Sequence, residues 1–327
     1  MKKNIAIVWG GYSSEKEISE KSAKGIYSFI DKSKYNLYKV KIDSSEWVVE
    51  YENNVYDVDK NDFSFKYNDI SIKFDFAYIT IHGTPGEDGV LQGYFDMLDL
   101  PYSNCGVMAS AITFNKYICN NFLKSFGFKV ANSIVLRPGD EFDTHKIEEQ
   151  LNLPLFVKPN AGGSSFATTK VKEVSQLSNA IEEAFGESEE VIVESFISGI
   201  EVTCGMYKGF NGFQLLPLTE VVTMNEFFDY DAKYEGQVEE ITPARIPADI
   251  ALEIQQQTKR IYQLVGAKGI IRADYIISNN VPILLEVNTT PGMTETSFIP
   301  QQVSAAGLDI KDVMTDIIEY EYSKNNI

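Results

Sequence analysis

Two neighbouring apolar segments near the C-terminus carry four side chains suited to metal-ion and oxyanion chemistry. Arg272 and Asp274 lie two residues apart in one segment, and Glu286 and Asn288 lie two apart in the next. Residues two apart in a β-strand point to the same face, so the members of each pair project together. Carboxylate and amide oxygens are the ligands that Mg²⁺ prefers, and a neighbouring arginine can act on the same reacting group. A buried salt bridge made by Arg272 is the alternative, but the run Thr289-Thr290-Pro291-Gly292-Met293 that follows favours the metal site.

A glycine-rich loop follows the apolar segment that ends at Lys158. The run Gly162-Gly163-Ser164-Ser165 offers backbone N–H groups that can wrap phosphate oxygens, while Lys158 supplies a positive charge. Taken alone, such a loop is as often a simple hairpin turn. The chain lacks the GxxxxGK[ST] pattern of a P-loop, and Gly10-Gly11 lacks the GxGxxG spacing of a dinucleotide site. We call the predicted metal site at Arg272, Asp274, Glu286 and Asn288 the metal platform. Together with it, the glycine-rich loop indicates a phosphate site that is neither a P-loop nor a dinucleotide site.

The two histidines and the three cysteines differ in their sequence surroundings. His82 follows a buried strand and opens a glycine-rich loop, so a functional role is at least as reasonable as a packing role. His145 lies among lysine and glutamate residues on a predicted helix, which is typical of a solvated surface residue. The odd number of cysteines and the lack of CxxC spacing indicate reduced core thiols in a cytoplasmic protein, not disulfides or a structural zinc site. These thiols are Cys105, Cys119 and Cys204.

The segments that must position these groups begin as an α/β protein begins. Residues 4–9 form an apolar run too short to cross a membrane, and it reads as a buried first strand. A glycine turn and a helix to about Phe29 follow, with Ser14 and Glu17 as a predicted capping box. Ligand sites in open α/β sheets lie beyond the carboxyl ends of the strands, where both N-terminal glycine-rich loops are placed. Further strands are predicted at residues 35–42 and 74–81.

The rest of the chain alternates predicted helices and strands and includes one segment suited to a lid. Helices are predicted at residues 108–126, 145–151, 248–265 and 309–322. Strands are predicted at residues 133–136, 155–158, 168–171, 191–194, 201–207, 213–217, 269–277 and 282–287. The polar stretch 224–240 is the lid candidate. We therefore expect three domains, covering residues 1–103, 104–197 and 198–327.

The composition limits the class of ligand. The chain has 327 residues, of which 44% are hydrophobic, and a formal net charge of −18. Such acidity repels nucleic acid and anionic membrane surfaces, so we expect neither as a partner. A phosphate-bearing ligand must then be bound locally, by a few lysines, arginines or metal ions. Small-molecule partners are expected.

At eight places in the same order, and over nearly its whole length, the chain resembles the D-alanine-D-alanine ligase family. The matching segments are Gly10-Gly11-Tyr12-Ser13-Ser14-Glu15, His82-Gly83 through Glu87-Asp88-Gly89, Gly106-Val107-Met108-Ala109-Ser110, Lys158-Pro159, Gly163-Ser164-Ser165, Ala232-Lys233-Tyr234, Arg272-Ala273-Asp274 and Glu286-Val287-Asn288 through Thr294. The resemblance implies an ATP-grasp fold, in which an N-terminal open parallel-sheet domain precedes two ATP-grasp domains that sandwich ATP. It also implies a homodimer.

The resemblance implies a two-step ligation. ATP phosphorylates the carboxylate of one D-alanine, and the amine of a second D-alanine attacks the acyl phosphate. The products are D-alanyl-D-alanine, ADP and phosphate, and the dipeptide is used in peptidoglycan synthesis. Because a carboxylate is a poor electrophile at neutral pH, phosphorylation supplies the leaving group, and catalysis then depends on positioning and charge neutralisation.

The same resemblance assigns the nucleotide and metal ligands. The residues that would bind ATP are Lys116, Lys158 and Lys233 at the phosphates, and Glu194, Ser195, Ile197 and Glu201 at the adenine and ribose. Two Mg²⁺ ions, with Mn²⁺ as a possible substitute, would be held by Asp274, Glu286 and Asn288. Within the loop at residues 160–167, family members commonly carry charged residues before the serines and Val-Gly after them, and this chain does not. The resemblance therefore does not assign the ATP contacts of that loop.

The amino-acid substrates are assigned in the same way. Arg272 and the N–H of Gly292 would stabilise the oxyanion of the tetrahedral intermediate. Glu15, helped by His82, would hold the ammonium of the first D-alanine. The residues expected to position the second D-alanine are Ser164, Tyr234 and Ser297.

Two other activities are compatible with the same fold. A depsipeptide ligase would join D-alanine to D-lactate, but relatives with that activity replace the lid tyrosine, which is present here as Tyr234. An ATP-binding module without catalysis would carry a broken metal or oxyanion set, whereas this chain keeps every member of it. The sequence leaves open whether D-serine or D-lactate is tolerated as the second substrate.

Overall fold

Three β-sheets surrounded by helices make up the molecule in a computed structural model that describes residues 2–163, 167–223 and 238–324. Three of the predicted site residues, Ser164, Lys233 and Tyr234, lie outside the described residues. So does the predicted lid, apart from its last residues 238–240, which belong to a strand. In the part of the chain that the structure describes, no helix is both long and apolar enough to span a membrane.

The N-terminal sheet has seven strands and a mixed topology. In spatial order β6-β5-β4-β3-β2-β1-β7, they are β1 (Lys3–Gly10), β2 (Tyr35–Ile42), β3 (Trp47–Tyr51), β4 (Asn54–Asp59), β5 (Ser64–Tyr67), β6 (Ile70–Lys73) and β7 (Phe76–Ile79). The predicted parallel arrangement is confirmed for β2, β1 and β7. Strands β3 to β6, which run antiparallel, were not predicted from the sequence. Their hairpins turn at residue pairs with positive φ, Glu52-Asn53 and Asn68-Asp69, and two-residue turns of this kind join antiparallel strands.

Helix α1 (Lys16–Phe29) follows β1 as predicted, but the predicted capping box is wrong. The helix N-cap is Glu15, and no side chain caps the helix there. The hydroxyl of Ser13 accepts a hydrogen bond from the Glu15 N–H at 3.3 Å and donates to the carbonyl oxygen of His82 at 3.0 Å. The turn is thus tied to the loop after β7, and it places Glu15 at the start of α1.

The helix predicted at residues 108–126 is two helices. After α2 (Val90–Met97), the chain forms α3 (Val107–Phe114) and α4 (Lys116–Ser125). Asn115 between them has extended backbone angles, and its side chain accepts a hydrogen bond from the Ile118 N–H at 2.9 Å. Asparagine is a favoured N-cap, so Asn115 ends one helix and starts the next. Lys116 consequently lies in the first turn of α4.

The central sheet is small and wholly antiparallel. In spatial order β10-β9-β11-β8, its strands are β8 (Ser133–Leu136), β9 (Leu155–Pro159), β10 (Thr169–Val171) and β11 (Val191–Ser195). Helices α5 (Thr144–Leu151) and α6 (Leu177–Phe185) cover one face, α6 being preceded by a 3-10 turn at Val174–Gln176. The four strands and α5 confirm the sequence predictions, whereas α6 was not predicted.

The C-terminal sheet is antiparallel and has six strands. Five run in the order β15-β14-β12-β16-β17, and β13 pairs with β12 outside that order. The strands are β12 (Ile200–Gly209), β13 (Gly212–Leu215), β14 (Thr219–Thr223), β15 (Val238–Ile241), β16 (Ile270–Ser278) and β17 (Val281–Asn288). The helices that accompany this sheet are α7 (Ala248–Val265), α8 (Phe298–Ala305) and α9 (Ile310–Lys324).

Two hydrophobic cores join segments that are far apart in sequence. One core packs α3, α4 and α7 against the C-terminal sheet, with Cys119, Leu123 and Ile261 among its buried members. The other packs β1 and α1 against α8 and α9, with Ile26 and Met314 as members. The first strand and helix of the chain are therefore fixed against its last two helices, which brings the start of α1 to the edge of the C-terminal sheet.

Candidate active site

A large cleft of about 1290 Å³ lies where the three sheets meet. The start of α1 and the loop after β7 line one wall, and the ends of β9 and β11 line another. Strands β16 and β17 and the loop after β17 form the third. The described residues that were predicted for the site and that line this cleft are Glu15, His82, Lys116, Lys158, Glu194, Ser195, Ile197, Glu201, Arg272, Asp274, Glu286, Asn288, Gly292 and Ser297.

The predicted pairing of strands β16 and β17 is confirmed by their register. Arg272 lies opposite Asn288, and Asp274 lies opposite Glu286. The Asn288 amide nitrogen is 3.0 Å from Asp274 Oδ2 and 3.4 Å from Glu286 Oε1. Three oxygen-bearing side chains thus converge on one point of the cleft.

The salt bridge considered as an alternative for Arg272 is also present. Its Nε and Nη2 atoms donate to the two oxygens of Asp274 at 2.8 and 2.7 Å. Burial alone would lower the pKa of Arg272, but the charge and hydrogen bonds of Asp274, together with the charges of Glu286 and Glu201, hold the pKa above its ordinary value, so the guanidinium stays charged. The guanidinium carbon also lies 5.3 Å from the ring centre of Phe298, within the range of a cation–π contact. Arg272 is therefore held from two sides at the cleft wall.

The chemistry of this set fits a hard divalent cation. Asp274 and Glu286 supply carboxylate oxygens, and a half-turn of the Asn288 amide would direct its oxygen to the same point. Among the described residues, no group of three or more His, Cys, Asp and Glu side chains is close enough to hold a metal ion. The third protein ligand here would accordingly be an amide, and further ligands would come from a bound phosphate or water.

A buried ion pair forms the wall made by the central sheet. Lys158 Nζ lies 2.6 Å from Glu194 Oε2, and both side chains are largely buried. Burial by itself would lower the pKa of Lys158, but the carboxylates of Glu194 and Glu286 outweigh it and hold the pKa above its ordinary value. The lysine is thus a fixed positive charge that faces a cleft with acidic side chains.

Lys116 links the glycine-rich loop to the metal platform. Its Nζ atom donates to the carbonyl oxygen of Gly162 at 2.6 Å and lies 3.5 Å from Glu286 Oε2. The backbone of the loop also approaches α1 closely, since a Cβ atom on Gly163 would be 2.9 Å from Glu15 Oε1. The first part of the loop therefore lies between the α1 wall and the metal platform.

The cleft wall formed by α1 and the loop after β7 carries several buried polar side chains, and only some of them were predicted from the sequence. Ser22 Oγ lies 3.2 Å from His82 Nε2, and burial lowers the pKa of His82, with Arg272 adding to the effect and Glu15 opposing it. Glu87 accepts a hydrogen bond from the Gly83 N–H at 2.7 Å, and burial, reinforced by the charge of Glu15, raises its pKa to about 8. Ser22 and Glu87 were not predicted as site residues.

The loop after β17 is ordered by hydrogen bonds within the loop and by hydrogen bonds from Asn104. Ser297 Oγ accepts from the Thr294 N–H at 3.0 Å and contacts Thr294 Oγ1 at 2.8 Å. At the other end of the loop, the Asn104 amide donates to Thr290 Oγ1 at 2.6 Å and to the carbonyl oxygen of Thr289 at 3.3 Å. These contacts hold Gly292 between two fixed points of the loop, and both Gly292 and Arg272 line the cleft.

The remaining predictions concern residues outside the site. The three cysteines are buried and free, and burial raises the pKa of each thiol to about 12, so their interpretation as core thiols is confirmed. The side chain of His145 is 78% exposed, which confirms its surface location.

Three sheets around a cleft, with lysines on one wall and paired carboxylates on another, define an ATP-grasp fold, as in the solved structures with which the chain aligns. The D-Ala:D-Ser ligase VanG of Enterococcus faecalis is 31% identical, with a TM-score of 0.87, over 98% of this chain and 100% of that one. A D-alanine-D-alanine ligase from Bacillus anthracis, solved in complex with ATP, is 26% identical with a TM-score of 0.80, over 99% of each chain.

Among proteins with the ATP-grasp fold, sequence comparisons identify one family. The models described as D-ala D-ala ligase N-terminus and C-terminus match residues 4–105 and 122–319. A D-alanine-D-alanine ligase of Parabacteroides distasonis is 64% identical over 98% of both chains, and one of Bacteroides fragilis is 59% identical over 98% of this chain and 100% of its own. The chain belongs to the D-alanine-D-alanine ligase family.

Proposed function

We propose that the protein joins two D-alanine molecules, at the expense of ATP, to make D-alanyl-D-alanine for peptidoglycan synthesis. The observation that carries this proposal is the juxtaposition in one cleft of Glu15 and His82 with the Arg272 and Asp274 platform. A carboxylate near a polar buried histidine suits an amino-acid ammonium, and the platform suits the phosphates that activate the carboxylate. The name shared by the relatives in Parabacteroides and Bacteroides supports the same reaction.

ATP would lie against the central sheet. Lys158 and Lys116 are the described lysines placed to bind its phosphates, with Lys233 added by the resemblance. On phosphate binding, Lys158 would exchange part of its contact with Glu194 for charge-assisted bonds to phosphate oxygens. The residues proposed for the adenine and ribose are Glu194, Ser195, Ile197 and Glu201, all of which line the cleft.

Two Mg²⁺ ions, or Mn²⁺ in their place, would be held by Asp274, Glu286 and Asn288. Bound there, the metal supplies charge neutralisation for the phosphoryl group. The chain's own contribution is to orient the ligands, since Arg272 fixes the carboxylate of Asp274 with two hydrogen bonds. The donor chemistry and the strand register support this assignment.

The oxyanion of the tetrahedral intermediate would be stabilised by Arg272 and the N–H of Gly292. Arg272 is suited to this role because its charge is permanent and its guanidinium is held in place by Asp274 and Phe298. Preorganised donors of this kind typically contribute on the order of 100-fold in rate each. Glu15 would bind the first D-alanine's ammonium beside His82, and Ser297 the second D-alanine's carboxylate.

The roles of Ser164 and Tyr234 in positioning the second substrate remain predictions from the resemblance. The three-domain division at residues 1–103, 104–197 and 198–327 is likewise our proposal, supported by the three separate sheets. In this division α3 and α4 are assigned to the central domain although they pack on the C-terminal sheet. A cytoplasmic location is proposed from the three free thiols.

We also propose that the protein is a homodimer. Helices α2 and α3 are adjacent and expose four large apolar side chains, those of Val90, Met97, Val107 and Met108. A second copy of this face would cover them, since apolar clusters of this kind mark protein interfaces. Sedimentation of the wild type should show a dimer, and Met97→Glu should shift it to monomer; a monomeric wild type would refute the proposal.

The function is tested by a product assay. Purified protein with Mg-ATP should release phosphate when D-alanine is added and should form D-alanyl-D-alanine. D-Serine and D-lactate are offered separately with D-alanine, because VanG, a D-Ala:D-Ser ligase, is among the structural neighbours. If the mixed product with D-serine or D-lactate formed faster than D-alanyl-D-alanine at pH 7, the assignment of the second substrate would be lost.

A further inference from the structure

Thr203 in β12 carries a buried hydroxyl that finds no hydrogen-bond partner within the described residues. The residue is 2% exposed and lines the cleft. A buried hydroxyl without a partner destabilises the folded chain, and native structures contain few of them. A hydroxyl in this position therefore suggests that a molecule bound in the cleft supplies the missing partner.

The register of the C-terminal sheet places Thr203 in line with the metal platform. Thr203 lies opposite Asp274 across β12 and β16, and Asp274 lies opposite Glu286 across β16 and β17. Side chains directly opposite each other in antiparallel strands share a face, with Cβ atoms about 4.5–5.5 Å apart. The neighbours of Thr203 in its own strand, Val202 and Cys204, point to the opposite face and into the hydrophobic core. Thr203 thus continues, on β12, the row of side chains that Asp274 and Glu286 form on the cleft floor.

The polar groups next to Thr203 are already engaged with other residues. The carboxylate of Asp274 accepts from Arg272 and Asn288. Thr219, which pairs with Thr203 across β14, has its hydroxyl 2.6 Å from that of Thr242. These neighbouring polar groups therefore have their own partners, and Thr203 itself is one of the residues that line the cleft.

We propose that the Thr203 hydroxyl donates a hydrogen bond to a phosphate oxygen of the bound nucleotide. This inference rests on the proposed function, because it takes the row of Asp274 and Glu286 as the place where the phosphates and their metal lie. A neutral hydroxyl donor suits this position. It can bind an anionic oxygen without placing a positive charge beside the carboxylates of Asp274 and Glu286. Hydrogen bonds to charged acceptors are stronger than neutral ones, so the loss of this single hydroxyl is measurable.

The test compares two variants of Thr203 in the full chain. Thr203→Val keeps the side-chain shape and removes the hydroxyl, whereas Thr203→Ser keeps the hydroxyl. Without nucleotide, Thr203→Val should melt at the same temperature as the wild type or higher, because it removes an unpaired buried polar group. By calorimetric titration it should bind Mg-ADP about tenfold more weakly, and Thr203→Ser should stay within about twofold of the wild type.

Thr258→Val is the matched control. Thr258 is fully buried, and its hydroxyl is paired, with the Ile254 carbonyl oxygen at 2.9 Å and Tyr275 Oη at 3.0 Å. Removing that hydroxyl should lower the melting temperature and leave the affinity for Mg-ADP unchanged. Thr203→Val should thus lose affinity for Mg-ADP without losing stability, whereas Thr258→Val should lose stability without losing affinity.

Titration with adenosine separates a phosphate contact from a nucleoside contact. The loss in Thr203→Val should appear with Mg-ADP and be absent with adenosine. Equal Mg-ADP affinity in Thr203→Val and wild type would overturn the inference, and a loss that extends to adenosine would overturn the assignment to phosphate. A wild-type chain that binds no Mg-ADP would refute the proposed function itself, and the inference with it.

Discussion

Replacement of Gly25 by alanine should displace the loop that carries Gly292. Gly25 lies inside α1, and an added Cβ atom would overlap the carbonyl oxygen of Met293 and lie 3.0 Å from its carbonyl carbon. Since carbon atoms in contact are normally about 3.5–4.0 Å apart, α1 and the loop would have to separate by roughly 1 Å. The N–H of Gly292, one residue before Met293, would move with the loop.

The expected magnitude follows from that displacement. A misplacement of about 1 Å in a catalytic group can cost on the order of 100-fold in rate, so kcat for dipeptide formation should fall by about that factor. Overpacking of the contact costs about 1–3 kcal/mol in stability, which the better helix propensity of alanine offsets by about 1 kcal/mol. The KM for ATP should change little, because Lys158 and Glu194 lie on the central sheet, away from this contact.

The assay is steady-state phosphate release at saturating D-alanine and Mg-ATP, with melting temperatures measured in parallel. Gly93→Ala is the control: Gly93 is also inside a helix, but its added Cβ atom would be an ordinary 3.6 Å from Val107 Cγ2. The control should keep the wild-type kcat and an equal or higher melting temperature. A Gly25→Ala enzyme with wild-type kcat would refute the reasoning, and so would an equal loss in both variants.

Three further predictions concern single side chains of the cleft. Arg272→Ala should lower kcat by on the order of 100-fold or more with ATP affinity mostly retained; a comparable loss of ATP affinity in titration would contradict an oxyanion role. Lys158→Met should raise the KM for ATP and also lower the melting temperature, because it leaves the buried carboxylate of Glu194 unpaired; unchanged values of both would argue against the pair. The pKa of Glu87 is raised to about 8 from an ordinary 4.5, so the folded chain binds this proton more tightly than the unfolded chain. Its stabilising contribution is complete below about pH 4.5 and is lost as the pH rises through about 8, so Glu87→Gln should flatten the pH dependence of the melting temperature between pH 5 and 8.

The elements that hold the site were the ones most readily predicted from the sequence. Strands β16 and β17 are long and apolar, and their polar residues two apart identified the platform formed by Arg272, Asp274, Glu286 and Asn288. Local pattern sufficed because the chemistry lies on adjacent strands of one sheet. The helix at Ala248–Val265 was likewise predicted with the same bounds, since it is long, strongly periodic and ends before a glycine.

The features that were missed depend on contacts between distant segments or on subtle turns. Strands β3 to β6 are short and carry exposed polar residues, so their alternation is weak. The cap predicted at Ser14 is wrong because α1 has Glu15 as its N-cap. Ser13 ties the preceding turn to the carbonyl oxygen of His82, 69 residues away, a contact that no local pattern reveals. The break at Asn115 did have a local signal, an N-cap asparagine followed by a lysine, inside an otherwise helical stretch.

Residues of the candidate site were missed for two different reasons. Ser22 and Thr203 were not identified because serine or threonine inside a helix or strand gives no signal of its own, and their significance comes from burial next to functional groups. Glu87 did lie in the glycine-rich loop that begins at His82, so its position was a usable signal. Its raised pKa arises from burial and from Glu15, which the fold brings close.

Formation of D-alanyl-D-alanine by the purified chain tests the central claim most directly. With Mg-ATP and D-alanine as the sole amino acid, the account predicts one phosphate and one ADP released for each dipeptide formed, as identified by mass spectrometry. Omission of D-alanine should stop phosphate release, and chelation of Mg²⁺ should stop both phosphate release and dipeptide formation. Folded protein that binds Mg-ADP but makes no dipeptide, or that releases phosphate independently of D-alanine, would contradict the account.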